Sequence, residues 1–168
     1  MTTGLERISQ LAREHPDRKL QTLIHLVDAE SLQRIHNKQD KDKATGVDRV
    51  TKAEYEANLE ENVRNLLARM KQFSYRPQPV RRAYIPKDGS DQMRPLGMPS
   101  YEDKLVQGAM AEILEAIYEP KFYDCSYGFR KNRNCHKALE ALNKKLWSWT
   151  NWVVDADIKS FFDTVDHD

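Results

Sequence analysis

Along the first third of the chain, apolar residues recur every three or four positions, the spacing of helices that bury one face. Leu5, Ile8, Leu11 and Ala12 make the first stripe, and His15-Pro16 closes it because proline lacks the amide a continuing helix needs. A second helical stretch is predicted over residues 18–36, with Leu20, Leu23, Ile24 and Val27 on one side, Leu32 and Ile35 further on, and Asp28 or Ser31 marking a break and restart. The polar run "NKQDKDKATGVDRV" then predicts an exposed loop around Gly46. Thr51 and Glu54 have the spacing of a capping box, and Tyr55, Leu59, Val63, Leu66, Leu67 and Met70 predict a helix behind it.

The period changes in "YRPQPVRRAYIPKDGSDQMRPLGMPS", where prolines preclude a long helix. Residues 80–85 read as extended, Lys87-Asp88-Gly89-Ser90 supplies turn chemistry, and residues 93–98 form the returning arm of a predicted β-hairpin with exposed edges. Ser100 caps a helix carrying Leu105, Val106, Ala109, Ile113, Leu114 and Ile117, which Pro120 ends. "FYDCSYGFRKNRN" reads as a loop of aromatics and bases. A helix over residues 135–147 is predicted to turn Ala138, Leu139, Leu142 and Leu146 inward, and a short strand over 152–158 leads into a run of aspartates. The class is α+β, mostly helical.

Composition narrows this. With 168 residues, 39% hydrophobic and 32% charged, and a mean hydropathy of -0.80, the chain reads as a soluble protein with one real core. No apolar run approaches the roughly 20 residues of a membrane span, and "MTTGLERISQLAREH" lacks the apolar segment of a signal peptide, so the expectation is a cytoplasmic protein without a membrane partner. Cys125 and Cys135 have no second pair and read as reduced structural thiols; the five histidines show no metal-ligand spacing. The net charge of +1 hides segregation: residues 121–145 hold seven bases against two acids, +5, while residues 155–168 set Lys159 against five aspartates, -4. Two solvated patches would look like this, and so would an enzyme that acts on a polyanion with the help of a metal.

Individual residues leave alternatives open. Tyr127, Phe129, Arg130, Lys131 and Arg133, with Gly128 among them, combine rings that stack on bases with cations that hold phosphates, the makings of a template or primer contact. The two rings would equally serve as core anchors. Gly46 and Asp48 suit a plain turn, and Lys87 alone suits the charged edge of a hairpin.

Three blocks in order, "DKATGVDRVT", "AYIPKDGSDQMRPLGMPSYEDKLVQGAMAEILEAIYEPKFYDCSYGFRKNRNCHKAL" and "WVVDADIKSFFD", together resemble the opening blocks of a group II intron-type reverse transcriptase/maturase, from about residue 20 onward. The resemblance implies a right-hand polymerase, with residues 1–150 as fingers plus an N-terminal helical extension and residues 151–168 as the beginning of the palm. Asp157 would be the catalytic carboxylate that binds the two Mg²⁺ ions, with the Ile158 carbonyl as a second ligand; hard magnesium prefers such oxygens. Lys87 and Arg94 would grip the triphosphate of the incoming dNTP, and Phe162 would sit below its sugar and exclude a 2′-hydroxyl. Gly46 and Asp48 would touch template RNA. The family's second acidic motif and thumb have no counterpart in these residues, so the expectation is a parent RNA-directed DNA polymerase working on RNA and a DNA primer, whose present portion alone is inactive. The alternative is a non-catalytic, maturase-like RNA-binding module that keeps the fingers surface. Oligomeric state stays open.

Overall fold

The stripes become helices where a cap and a buried face coincide. The computed structural model describes residues 4–86, 88–89, 91–146, 150–159 and 161–166, with backbone alone at 162 and 163. The chain divides into two compact units, Met1–Phe122 and Tyr123–Asp168.

In the first unit, α1 (Gly4–Glu14) buries Ile8 and Ala12. The helix predicted over residues 18–36 needs correction: residues 18–22 are not helical, and only a 3-10 turn, Leu23–Leu26, precedes Val27. Thr22 has a left-handed backbone, φ 60°, which interrupts any helix there. α2 (Ala29–Lys38) starts where predicted, and Asp28 and Ser31 mark the restart together: the Ser31 amide donates to Asp28 Oδ1 at 2.8 Å and the Asp28 amide to Ser31 Oγ at 3.0 Å. Beyond the loop, α3 (Lys52–Glu56) opens on the Thr51–Glu54 capping box. The stripe behind it is two helices, because Asn58 (φ −130°, ψ 39°) breaks the path before α4 (Leu59–Lys71). Asn62 Nδ2 donates to the Tyr55 carbonyl at 3.0 Å, satisfying an acceptor near that break.

Strands β1 (Arg81–Pro86) and β2 (Met93–Met98) form the predicted hairpin, antiparallel, with Arg81 opposite Met98 and Ile85 opposite Arg94. α5 (Tyr101–Tyr118) is capped by Ser100, and a 3-10 turn containing Pro120, Glu119–Lys121, follows it. Helices α1 and α2 pack on α5, and α4 packs on α2. Leu32, Leu66 and Leu105 are fully buried among them, each burial contributing roughly 1.5–3 kcal/mol. A Cβ on Gly108 would lie 2.6 Å from Ile35 Cγ2, so glycine is what lets α2 and α5 approach. Glu112 of α5 accepts from Arg34 Nη2 at 2.7 Å and Lys38 Nζ at 2.9 Å, tying down the end of α2. Inside, His36 is fully buried beside the tilted pair of Tyr55 and Tyr101 rings, whose centres are 4.8 Å apart, its Nδ1 2.9 Å from the Tyr101 hydroxyl.

The second unit holds a turn-rich segment and α6 (Cys135–Leu146), whose first turn is capped by Asn134 Oδ1 accepting from the Lys137 amide at 2.9 Å. Two expectations fail here. Leu139, Leu142 and Leu146 are exposed, not inward, since a stripe identifies the face that seeks cover without supplying the cover. Residues 152–158 form no strand, and Trp152, Val153 and Val154 are exposed. A strand exists only through a neighbour's ladder, and among the described residues the sole sheet is β1 with β2. No helix of the described residues is long and apolar enough to cross a membrane.

Candidate functional site

Alternation along the hairpin sorts its side chains into two faces. Arg81, Ala83, Ile85, Arg94, Leu96 and Met98 share one; Arg82, Tyr84, Pro86, Met93, Pro95 and Gly97 share the other. Arg94 is exposed near the outer end, four residue pairs from Arg81, or about 13 Å at strand spacing. Tyr84 is exposed on the opposite face. Lys87, the second expected triphosphate ligand, lies outside the described residues.

The "ATGVD" loop is stitched to the root of this hairpin. Arg81 Nε donates to the Thr45 carbonyl at 3.0 Å, and Lys104 Nζ of α5 donates to the Ala44 carbonyl. Burial, then the neighbouring Lys43 charge, hold the Lys104 ammonium below its ordinary pKa; Asp48 opposes this and Arg81 adds to it. Cations therefore crowd this corner. Asp48 Oδ2 accepts from the Tyr101 amide at 3.3 Å, tying the loop to the first turn of α5. Gly46 is buried, and a Cβ there would come within 2.6 Å of the Pro99 carbonyl oxygen and the Ser100 backbone. Both residues expected at the template thus hold the loop's shape, while Val47 and Arg49 are its outward side chains.

In the second unit the basic loop is locked on itself. Arg130 Nη1 donates to the Tyr123 and Ser126 carbonyls at 2.9 and 2.8 Å. Arg133 donates to the Asp124 carbonyl at 2.6 Å and to its Oδ1 at 3.2 Å, and its guanidinium stands 5.2 Å from the centre of the half-buried Tyr127 ring. This framework presents Phe129 fully exposed on a left-handed backbone, φ 56°, beside the exposed Lys131. An aromatic held out at a strained position is available for stacking. Tyr127, Arg130 and Arg133 are brought together by the fold; Phe129 projects from them.

Asp157 and Ile158 are exposed in the irregular segment that leads to the 3-10 turn Phe161–Thr164, and the Phe162 side chain is outside the description. Oxygens of a carboxylate and a carbonyl suit magnesium in kind. Among the described residues no three acidic, histidine or cysteine side chains gather to hold a metal. Sequence reasoning passed over Arg81, Lys104 and Asp103, all of which organise the hairpin root. The spacing Ser100-x-x-Asp103, a helix-start signature, was the available signal for the last.

The description "Reverse transcriptase (RNA-dependent DNA polymerase)" is that of the family whose pattern matches residues 85–168, half of the chain. The group II intron-encoded protein LtrA of Lactococcus lactis subsp. cremoris is 49% identical over 108 residues, covering 64% of this chain and 18% of LtrA. Protein YkfC of Escherichia coli is 39% identical over 126 residues, 73% of this chain and 33% of that protein. Nuclear intron maturase 1, mitochondrial, of Arabidopsis thaliana is 30% identical over 70 residues, 42% of this chain and 10% of that one. The chain therefore spans a third or less of the length of these relatives. With the matching residues running from β1 through the hairpin and α5 to the terminal aspartates, the chain belongs to the reverse transcriptase family.

Proposed function

We propose that this chain is the fingers, residues 1–150, and the opening of the palm, residues 151–168, of an RNA-directed DNA polymerase that binds template RNA and an incoming dNTP. The observation that carries this reading is the family match over residues 85–168, within which Arg94 stands exposed on a projecting hairpin. Its planar guanidinium donates two parallel hydrogen bonds to phosphate oxygens and so orients the triphosphate. Asp157 and the Ile158 carbonyl would hold magnesium, which would supply Lewis-acid chemistry at the primer hydroxyl and at the pyrophosphate leaving group. Phe162, whose side chain lies outside the described residues, is the residue assigned to exclude a 2′-hydroxyl. Lys87 adds a mobile point charge to the phosphate grip. Phe129 stacks on template or primer bases while Lys131, Arg130 and Arg133 supply positive field. The names of its relatives support a second duty in the intact protein, maturase action on intron RNA.

The test uses the complete polymerase that contains this segment. Asp157→Asn is expected to abolish primer extension with RNA affinity unchanged, and Arg94→Ala to raise the KM for dNTP about tenfold or more, the worth of a charged hydrogen-bond pair. Extension surviving Asp157→Asn would sink the reading.

A further inference from the structure

A two-stranded hairpin exposed on both faces has no core of its own, and isolated hairpins are marginal in water. Whatever orients it must act at its roots. There, one carboxylate gathers three donors. Asp103, 4% exposed in the first turn of α5, accepts from the Tyr75 hydroxyl on Oδ1, and on Oδ2 from the Gln78 amide at 3.0 Å and the Ser100 hydroxyl at 2.7 Å. Tyr75 and Gln78 belong to the chain that enters β1, and Ser100 to the chain that leaves β2. The upstream root is itself fixed to the end of α4, where the Ser74 and Tyr75 amides donate to the Arg69 carbonyl at 2.9 and 3.1 Å. Arg69 Nη2 in turn donates to both Glu102 oxygens at 2.8 and 2.7 Å, next to Asp103.

Resting on the reading that Arg94 grips the nucleotide, we propose that Asp103 is the positioning residue of the hairpin: it ties both roots to α5 and thereby sets where Arg94 stands. A carboxylate is suited to this because it is acceptor-only, and a buried one persists only when donors satisfy it. Tyr75 remains a donor throughout the physiological range, since burial and then Asp103 push its phenol well above the ordinary value. Alanine at position 103 would leave the Tyr75 hydroxyl, the Gln78 amide and the Ser100 hydroxyl without their shared acceptor, and the clamp would open at both roots.

Two measurements test the clamp. In the 168-residue chain, Asp103→Ala is expected to speed hydrogen exchange of the β1 and β2 amides about tenfold while amides of α2 and α4 keep their protection. In the complete polymerase the same variant is expected to raise the dNTP KM about tenfold, with kcat within about twofold and RNA affinity unchanged, and to be non-additive with Arg94→Ala. Tyr75→Phe, which removes a single donor, gives a smaller shift of the same kind and keeps the test open if Asp103→Ala does not fold. Unchanged hairpin exchange in a folded variant, parallel loss of kcat and RNA affinity, or strict additivity with Arg94→Ala each overturns the proposal. An Arg94→Ala enzyme with normal dNTP KM would instead overturn the nucleotide-grip reading, leaving the exchange measurement to judge the clamp.

Discussion

His36 shows how much one side chain can commit a fold to a protonation state. Burial, first of all, and then the Lys52 charge hold its pKa below the ordinary 6.5, with Glu56 pulling the other way from 4.0 Å. The folded chain therefore keeps the imidazole neutral, whereas the unfolded chain takes up a proton once the pH drops past about 6.5. More protons on the unfolded side means that stability rises with pH: it is complete above that value and is lost as pH falls toward and through the depressed folded value. The slope from this one group is at most about 1.4 kcal/mol per pH unit. Urea denaturation at pH 7.5, 6.5 and 5.5 is expected to show that loss, and His36→Gln to flatten it. An equally steep acid loss in the variant would assign it to other groups. Nothing in the spacing of apolar residues announced this cluster, because a histidine inside a helical stripe looks the same whether it faces solvent or two tyrosines.

Among the elements, the loop at Gly46 carries the sharpest consequence. Its missing side chain is the space in which the Pro99–Ser100 backbone sits, so Gly46→Ala must push backbone against backbone. We expect that substitution to destabilise the first unit by about 1–3 kcal/mol, read as a lowered denaturation midpoint, and to spread shifts into the first turn of α5. A stable variant with an undisturbed spectrum would show that the loop has room. The sequence foretold elements where the signal is local: the Thr51–Glu54 box, the Asp28–Ser31 restart and the hairpin turn each carry their instructions within a few residues. It misled where the outcome depends on a partner. The α6 stripe and the apolar run at Trp152 both describe surfaces that need covering, and neither states by what. Likewise a plain turn at Gly46 and Asp48 was legible but not what that turn packs against, because their neighbours at Pro99, Ser100 and Tyr101 lie some 50 positions away in the chain.

For the molecule as a whole, the net charge of +1 says little about how RNA would meet it, since the field is set by where the charges stand. The hairpin residues 81–98 hold four bases, Arg81, Arg82, Lys87 and Arg94, against Asp88 and Asp91, on a projecting element. Residues 121–145 carry +5, but the Arg130, Arg133 and Lys137 heads already donate to carbonyls of their own loop. Those cations still attract phosphate at a distance; their donors are partly taken, so they act more as a field than as forks. On the proposed function Arg94 is kept for the nucleotide, which leaves the exposed Arg82, on the other face of the hairpin, for a direct RNA phosphate contact. Binding of a single-stranded RNA to the chain is then expected to weaken with salt, each phosphate contact adding about 0.7 to the log–log slope. Charge reversal at Arg82 should lower the slope by about 0.7, one contact's worth, whereas reversal at Lys144 and Lys145 on α6 should leave it nearly unchanged. Titrations from low to moderate salt measure this directly. A slope that ignores the Arg82 substitution and collapses with the α6 pair would assign the direct phosphate contacts to α6 instead.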